Sequence, residues 1–400
     1  MPNKKSKKES SSKGFFRHWS HEIHLWAGLA VCIPMLLIGI TGTILVYEHE
    51  IEDFFSSTEA SYSLASEGGV KSAADIIHAA ELNKEHGFIA SGFLYGIAGE
   101  KPAKVTFTSP QDGQNKSRSY TLLIDPVSLA IVSQEQPSRN AFFRFILDIH
   151  ANMLLDKEIG RPIVGFLGLF LLALSITGIV IWWPKNGKWK RALTIKRGKN
   201  GILGLRFNRD LHGVFGIYGY VILFVTAFSG VYIAFPNQTG AVIKVFLPVE
   251  DEQINTSELK VEPLAQRASL SLAAIAELAE QEAGDDLRII FIRAPRQTSQ
   301  PHRVMMKPND TMNGPFTSVF IDPWKQNVMH IDNPRDYSAG KTVMAWQRPL
   351  HGAHGTADWW WWKIASFVMG LILMMFCITG FYMWWIKRKT PTNAPAKRLL

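Results

Sequence analysis

Residues 176–183 read ITGIVIWW and residues 378–385 read ITGFYMWW, and each stretch ends a long apolar run. Four charge-free apolar runs are present, at residues 25–47, 162–184, 213–236 and 364–386. A helix needs about 20 apolar residues to cross the hydrocarbon core of a membrane, and each run is long enough. The sequence therefore predicts an α-helical membrane protein with four transmembrane helices.

The charges are unevenly distributed along the chain, of which 47% is hydrophobic and only 19% charged. Residues 1–24, 185–211 and 387–400 together carry 20 of the 43 Lys and Arg but only three of the 34 Asp and Glu. Basic segments beside membrane helices stay on the cytoplasmic side, so both termini and the central loop are predicted to be cytoplasmic. The net charge of +9 then reflects membrane orientation and contact with anionic lipid, and no nucleic-acid motif accompanies it.

Two outer segments alternate with the predicted membrane spans. Each contains a strand that runs into an Asp-Pro turn, at residues 120–126 and 317–323, with a helical run upstream. We therefore expect two small α+β modules. The predicted segments are a basic cytoplasmic tail (1–17), a first span (18–48), a first outer module (49–149), a second span with its preceding histidine (150–184), a basic cytoplasmic loop (185–211), a third span (212–236), a second outer module (237–348), a fourth span with its preceding histidine (349–386) and a cytoplasmic tail (387–400).

The two halves of the chain repeat one pattern. A histidine comes immediately before the first and third runs. It is followed by a glycine one helical turn later and then, at an identical offset, by a hydroxyl residue: His24, Gly28 and Thr41, then His212, Gly216 and Ser229. A histidine also precedes the second and fourth runs. The interval from His150 to Thr177 is one residue shorter than the interval from His351 to Thr379. The predicted unit is therefore a span, an outer module and a second span, used twice.

The two cysteines, Cys32 and Cys377, limit the cofactors that one chain can bind. They exclude a disulfide framework, a CxxC zinc site and a CxxCH haem attachment. They also exclude an iron–sulfur cluster held by four thiolates. Histidine is left as the candidate metal ligand.

Histidines at the ends of membrane helices are costly unless they have a function. His24 and His212 lie at the predicted cytoplasmic ends of two spans, and His150 and His351 lie at the outer side. Each membrane face would thus have two histidines at one depth, carried by two different helices. This arrangement fits two six-coordinate haems with neutral imidazole ligands. A single zinc site is disfavoured, because the two pairs lie on opposite membrane faces.

Two further histidines are alternatives to these ligands. His21 lies three positions before His24 and is a rival for the inner iron, while His354 lies one helical turn after His351 and is a rival for the outer iron. The additional residue after His351, relative to the first half, leaves either histidine open as the outer ligand.

Four other residues are candidates for contact with the cofactors. Gly28 and Gly216 lie one turn beyond their histidines, where a missing side chain lets a flat macrocycle approach; the alternative is ordinary close packing of membrane helices. Arg161 and Lys363 occupy equivalent positions upstream of Thr177 and Thr379 and are candidate partners of the outer haem propionates. Their alternative role is interfacial anchoring.

The histidine and Thr-Gly pattern resembles the PepSY-associated transmembrane proteins, and the outer segments ending in Ile-Asp-Pro resemble PepSY-type modules. The resemblance covers residues 15–390. It is strongest to the iron-uptake members, including FoxB-type ferric-siderophore reductases of the bacterial inner membrane. It implies four spans, two periplasmic modules and two haem b groups, with His24, His150, His212 and His351 as ligands.

The resemblance implies an oxidoreductase of the bacterial inner membrane that reduces ferric siderophore to the Fe(II) state on the periplasmic side, for iron acquisition. The electron donor is an unidentified cytoplasmic protein or a quinol. Alternatives are a quinol-linked cytochrome b that passes electrons to a protein partner, a non-enzymatic PepSY-type regulator, and a metal transporter with histidine transit ligands.

Overall fold

The structure, a computed structural model, describes residues 4–55, 68–95, 101–109, 117–135, 140–184, 187–196, 201–249, 256, 258–264, 267–295, 297–352 and 358–389. The chain divides into two compact units. The helical unit is drawn from Met1–Tyr47, Phe142–Ile243 and Gln347–Leu400, and the sheet unit from Glu48–Ala141 and Lys244–Trp346.

The described part of the chain contains both α-helices and β-strands. The helices are α1 (Lys4–Val46), α2 (Glu48–Phe55), α3 (Ala73–Leu82), α4 (Ala141–Asn152), α5 (Lys157–Trp182), α6 (Trp189–Ala192), α7 (Leu205–Tyr218), α8 (Tyr220–Ala234), α9 (Pro236–Phe246), α10 (Leu272–Ala283), α11 (Ala339–Gly352) and α12 (Trp360–Lys389). The strands are β1 (Ile89–Leu94), β2 (Ala103–Thr108), β3 (Ser119–Ile124), β4 (Ile131–Glu135), β5 (Leu287–Arg293), β6 (His302–Pro308), β7 (Thr317–Asp322) and β8 (Asn327–Asp332).

The long helices of the helical unit are apolar enough to cross a membrane. Three pass this test within the described residues, namely Phe15–Val46 of α1, all of α5 and all of α12. α1 packs against both α5 and α12, and α8 packs against α5. Glycines allow the close approach, since a Cβ at Gly39 of α1 would lie 3.3 Å from the carbonyl oxygen of Gly370 in α12.

The third apolar run differs from the single straight span that its hydropathy predicts. It forms α7 and α8, which meet at Gly219 with a bend of 70°. The Gly219 amide closes the last turn of α7 on the Phe215 carbonyl oxygen, and a Cβ there would lie 3.3 Å from Met369 Sδ of α12. Glycine is one of the positions at which helices bend, and here a Cβ would also press against Met369 of the neighbouring helix. The broken pair counts as a fourth span only if both halves are taken together.

The sheet unit is one antiparallel sheet of eight strands in the order β4-β3-β2-β1-β5-β6-β7-β8. The two predicted modules are joined where β1 pairs with β5, with Phe93 opposite Ile292. α3 and α10 pack against each other and against the sheet. One apolar core contains residues from both halves, including Ile76, Ile275 and Met306.

The predicted Asp-Pro turns are confirmed at the ends of β3 and β7. Asp125 Oδ1 accepts hydrogen bonds from the amides of Val127 and Ser128, at 2.8 and 3.1 Å. Asp322 Oδ1 does the same for Trp324 and Lys325, at 2.9 and 3.0 Å. The side chain of aspartate replaces a backbone acceptor in such turns, so the same dipeptide builds the same corner twice.

Candidate functional site

The four histidines of the repeat meet in two pairs inside the helical unit. His24 of α1 lies beside His212 of α7, with ring centres 6.2 Å apart and ring planes at 75°. His150 of α4 lies beside His351 of α11, with ring centres again 6.2 Å apart and ring planes at 50°. Each pair thus contains one histidine from each half of the sequence.

A hydroxyl group on another helix holds each imidazole at Nδ1. The four hydroxyls are those of the repeated Thr-Gly and Ser-Gly dipeptides. The distances from histidine Nδ1 to hydroxyl oxygen are 3.0 Å for His24 and Thr177, 3.1 Å for His150 and Thr41, 2.9 Å for His212 and Thr379, and 3.0 Å for His351 and Ser229. All four rings are therefore held through the same nitrogen.

The glycine that follows each hydroxyl residue faces the same ring. A Cβ at Gly42 would lie 2.9 Å from His150 Cε1, and one at Gly230 would lie 3.1 Å from His351 Cε1. The corresponding contacts are looser for Gly178 with His24, at 3.4 Å, and for Gly380 with His212, at 3.8 Å. The dipeptide therefore provides both a hydrogen bond and a flat surface for the imidazole.

A tight turn after α4 positions His150. Met153 and Leu154 have φ values of 54° and 61°, a left-handed conformation that side chains with a Cβ rarely adopt. The chain then returns so closely that a Cβ at Gly160 of α5 would clash with the carbonyl oxygen of Asn152. Only glycine fits at this point of α5.

His351 is positioned by the end of α11. The indole Nε1 of Trp362 in α12 donates to the carbonyl oxygen of Leu350 at 2.9 Å, which ties the histidine segment to the fourth span. His351 Nδ1 also lies 3.0 Å from the carbonyl oxygen of Thr226 in α8. The rival ligand His354 lies outside the described residues.

The other candidate residues that the structure describes, His21, Lys363 and Arg161, have different surroundings. His21 is exposed, and its Nδ1 contacts Glu22 Oε1 at 3.3 Å instead of facing His212. Lys363 lies in the first turn of α12 with Nζ 5.1 Å from the centre of the Tyr47 ring, and Arg161 is half-buried near the start of α5.

A Cβ would fit without a clash at each of the two glycines that are expected to lie beside a cofactor. A Cβ at Gly216 would meet no heavy atom within 4 Å among the described residues outside its own helix and chain neighbours. A Cβ at Gly28 would meet Leu174 Cδ2 at 3.8 Å. Neither glycine is needed for tight helix packing, which is the alternative role of both.

An apolar layer separates the two histidine pairs. His24 and Thr41 mark the two sites on α1, and the helical rise of about 1.5 Å per residue places them about 25 Å apart. Between them lies a buried cluster from α1, α5 and α12, made by Val31, Met35, Leu167, Leu373 and Cys377. Cys32 Sγ reaches the carbonyl oxygen of Cys377 in this layer at 3.4 Å.

The hydroxyl partners of the four histidines are members of the candidate site that the spacing of the histidines does not identify. Their signal is present in the sequence, because Thr41, Thr177, Ser229 and Thr379 recur at matching positions in the two halves. The pairing itself cannot be read from the sequence, since each hydroxyl binds a histidine carried by a different helix.

One family of proteins matches most of the chain. Its sequence model, described as the PepSY-associated TM region, matches residues 21–387, which include all four paired histidines and their hydroxyl partners. No curated protein is significantly similar to the chain.

Proposed function

The chain belongs to the PepSY-associated transmembrane family, and on this premise we propose that it binds two b-type haems and transfers electrons across the membrane to a ferric siderophore. The observation that carries the proposal is the geometry of the two histidine pairs, whose ring centres are 6.2 Å apart in both cases.

The residues present fit an iron between each pair. Imidazole nitrogens bind metal ions at about 2 Å, so two rings on opposite sides of one ion have centres roughly 6 Å apart. Two aromatic rings in edge-to-face contact without a metal have a similar spacing. Metal-binding imidazoles, however, also carry a hydrogen-bond partner on the second nitrogen, and all four histidines have such a partner here. A haem held by each pair would supply a one-electron Fe(III)/Fe(II) couple.

The separation of the pairs supports electron transfer rather than metal transport. The hydrocarbon core of a membrane is about 30 Å thick, and the two sites are about 25 Å apart along α1. The layer of Val31, Met35, Leu167, Leu373 and Cys377 is apolar, with no charged side chain in the cluster that the described residues form. An electron can cross such a layer, whereas a desolvated ion cannot do so cheaply.

The charge distribution supports an outward direction for the electron. The basic segments predict that His24 and His212 lie near the cytoplasm and that His150 and His351 lie near the outer surface. Moving one negative charge outward across an inside-negative membrane is favourable by about 2.3 kcal/mol per 100 mV. The cytoplasmic or quinol donor would therefore reduce the His24/His212 site, and the substrate would be reduced at the His150/His351 site.

A ferric siderophore is the proposed acceptor because its chemistry suits this reaction. Hard oxygen ligands bind Fe(III) more strongly than Fe(II), so transfer of one electron weakens the complex and releases iron. The chain needs no acid–base residue for this step. Its own contribution is to hold the ligands, exclude water between the sites and orient the imidazoles.

Anaerobic mixing tests this function. The purified full chain is reduced, freed of excess reductant and mixed with a ferric hydroxamate siderophore while the haem spectrum is recorded. We expect oxidation of the protein with release of Fe(II) to a ferrous chelator, and a much slower reaction for His150→Ala. A haem protein that stays reduced would favour the quinol-linked alternative, and a chain that binds no haem would favour the PepSY-type regulator.

A further inference from the structure

The proton of each threonine hydroxyl can be assigned from its second hydrogen bond. Thr41 Oγ1 lies 2.7 Å from the carbonyl oxygen of Leu37, Thr177 Oγ1 lies 2.8 Å from that of Ala173, and Thr379 Oγ1 lies 2.7 Å from that of Met375. A carbonyl oxygen can only accept, and a hydroxyl has a single proton. Each hydroxyl therefore donates to its own helix and can only accept from the histidine.

The Ser229 hydroxyl also donates to its own helix and accepts from a histidine, and a second contact of that histidine supports this. Ser229 Oγ lies 3.0 Å from the carbonyl oxygen of Thr226. His351 Nδ1 lies 3.0 Å from that same carbonyl oxygen, which can only accept. Nδ1 of His351 therefore carries a proton whichever of its two partners is considered.

A neutral imidazole protonated at Nδ1 has its lone pair at Nε2. We propose that Thr41, Thr177, Ser229 and Thr379 are positioning residues that fix all four histidines in the Nδ1–H tautomer, with Nε2 free to bind iron. This inference rests on the proposed function, because it takes the histidines as haem ligands. A hydrogen bond from Nδ1–H also makes the imidazole a stronger donor to the metal.

The four sites should depend on their hydroxyls to different extents. His351 has a second acceptor in the carbonyl oxygen of Thr226, so it keeps one hydrogen bond when Ser229 is replaced by alanine. His212 is held at Nδ1 by Thr379 at 2.9 Å, the shortest of the four contacts. Removal of the Thr379 hydroxyl should therefore have the larger effect.

The test compares Thr379→Val, Thr379→Ser and Ser229→Ala in the full-length haem-loaded chain. Thr43→Val is the matched control, because Thr43 is also buried in a membrane helix and donates to the carbonyl oxygen of its own fourth preceding residue, Gly39, at 2.7 Å. The measurements are the midpoint potential of each haem and the rate of haem loss to an acceptor protein.

We expect Thr379→Val to raise one haem potential and to weaken haem binding at that site about 10–100-fold. The other haem should keep its potential, which shows that the fold is intact. Thr379→Ser should restore both values, Ser229→Ala should shift the second haem less, and Thr43→Val should change neither. Unchanged potentials in Thr379→Val, or failure of Thr379→Ser to restore them, would overturn the inference.

Spectra of ¹⁵N-histidine-labelled protein separate this inference from the proposed function. In haem-free protein, signals of the Nδ1–H tautomer are expected, and Thr379→Val should lose one of them. A wild-type chain that binds no haem would refute the proposed function, whereas the absence of Nδ1–H tautomers would refute the role of the hydroxyls.

Discussion

Each paired histidine lies against a hydroxyl-glycine dipeptide of another helix, and the two residues of the dipeptide act differently. The hydroxyl binds Nδ1, and the glycine leaves space for the ring. The space is not equal at the four sites, since a Cβ would lie 2.9 Å from the ring at Gly42 and 3.8 Å from it at Gly380.

Gly42→Ala and Gly380→Ala form a matched pair. We expect Gly42→Ala to displace His150, because the added Cβ would lie only 2.9 Å from the ring, and overpacking of this kind costs roughly 1–3 kcal/mol. Haem retention at the His150/His351 site should fall, while Gly380→Ala should leave the His24/His212 site close to wild type. Equal effects of the two substitutions on haem content would show that ring contact does not control binding.

A half-buried histidine of the sheet unit, His302, makes the stability of that unit depend on pH. Burial lowers the pKa of His302 to about 4, from an ordinary value of 6.5. Because the folded form binds the proton less readily than the unfolded chain, its stability is greatest above about pH 6.5 and decreases as the pH falls toward 4. The unfolding temperature should therefore fall between pH 6.5 and 5, and it should fall less in His302→Gln. An identical pH dependence in the variant would contradict this role.

The elements show which parts of the fold the sequence predicts. The apolar runs predict α1, α5 and α12 because length and hydropathy alone decide a membrane helix. The bend of 70° between α7 and α8 is not visible in hydropathy, since an apolar run reads the same whether its helix is straight or broken. The pairing of β1 with β5 is also hidden, because the two strands lie far apart in the sequence and neither repeat specifies an edge partner.

The candidate site, like the fold, can be predicted only in part from the sequence. The spacing of the repeat singles out His24, His150, His212 and His351, and the structure brings them together in pairs. Their role as haem ligands stays a prediction. The hydroxyl contacts depend on how helices from distant parts of the sequence pack together, so no local pattern could supply them.

The turn between α4 and α5 positions His150 of the candidate site. Gly160→Ala would place a Cβ against the backbone of Asn152, and no rotamer change can relieve that clash. We expect a lower unfolding temperature of the haem-free chain and loss of haem from the His150/His351 site. Gly216→Ala is the control for the haem-free chain, because its Cβ meets no atom within 4 Å among the described residues outside its own helix and neighbours. A Gly160→Ala protein as stable as Gly216→Ala would contradict the geometry of this turn.

At the scale of the whole molecule, the helical unit provides two histidine pairs with an apolar layer between them, and the sheet unit provides a continuous antiparallel sheet. We propose that both arose from one unit used twice. We also propose that the distribution of charge orients the helical unit, with its basic segments on the cytoplasmic side.

The ratio of haem to protein in the purified full chain, with its reduced-minus-oxidised spectrum, tests the central claim most directly. Two histidine pairs predict two haems per chain with the spectrum of low-spin b-type centres, and His24→Ala or His212→Ala should each reduce the ratio to one. A chain purified from haem-sufficient cells without haem, or one that keeps both haems in these variants, would contradict the claim.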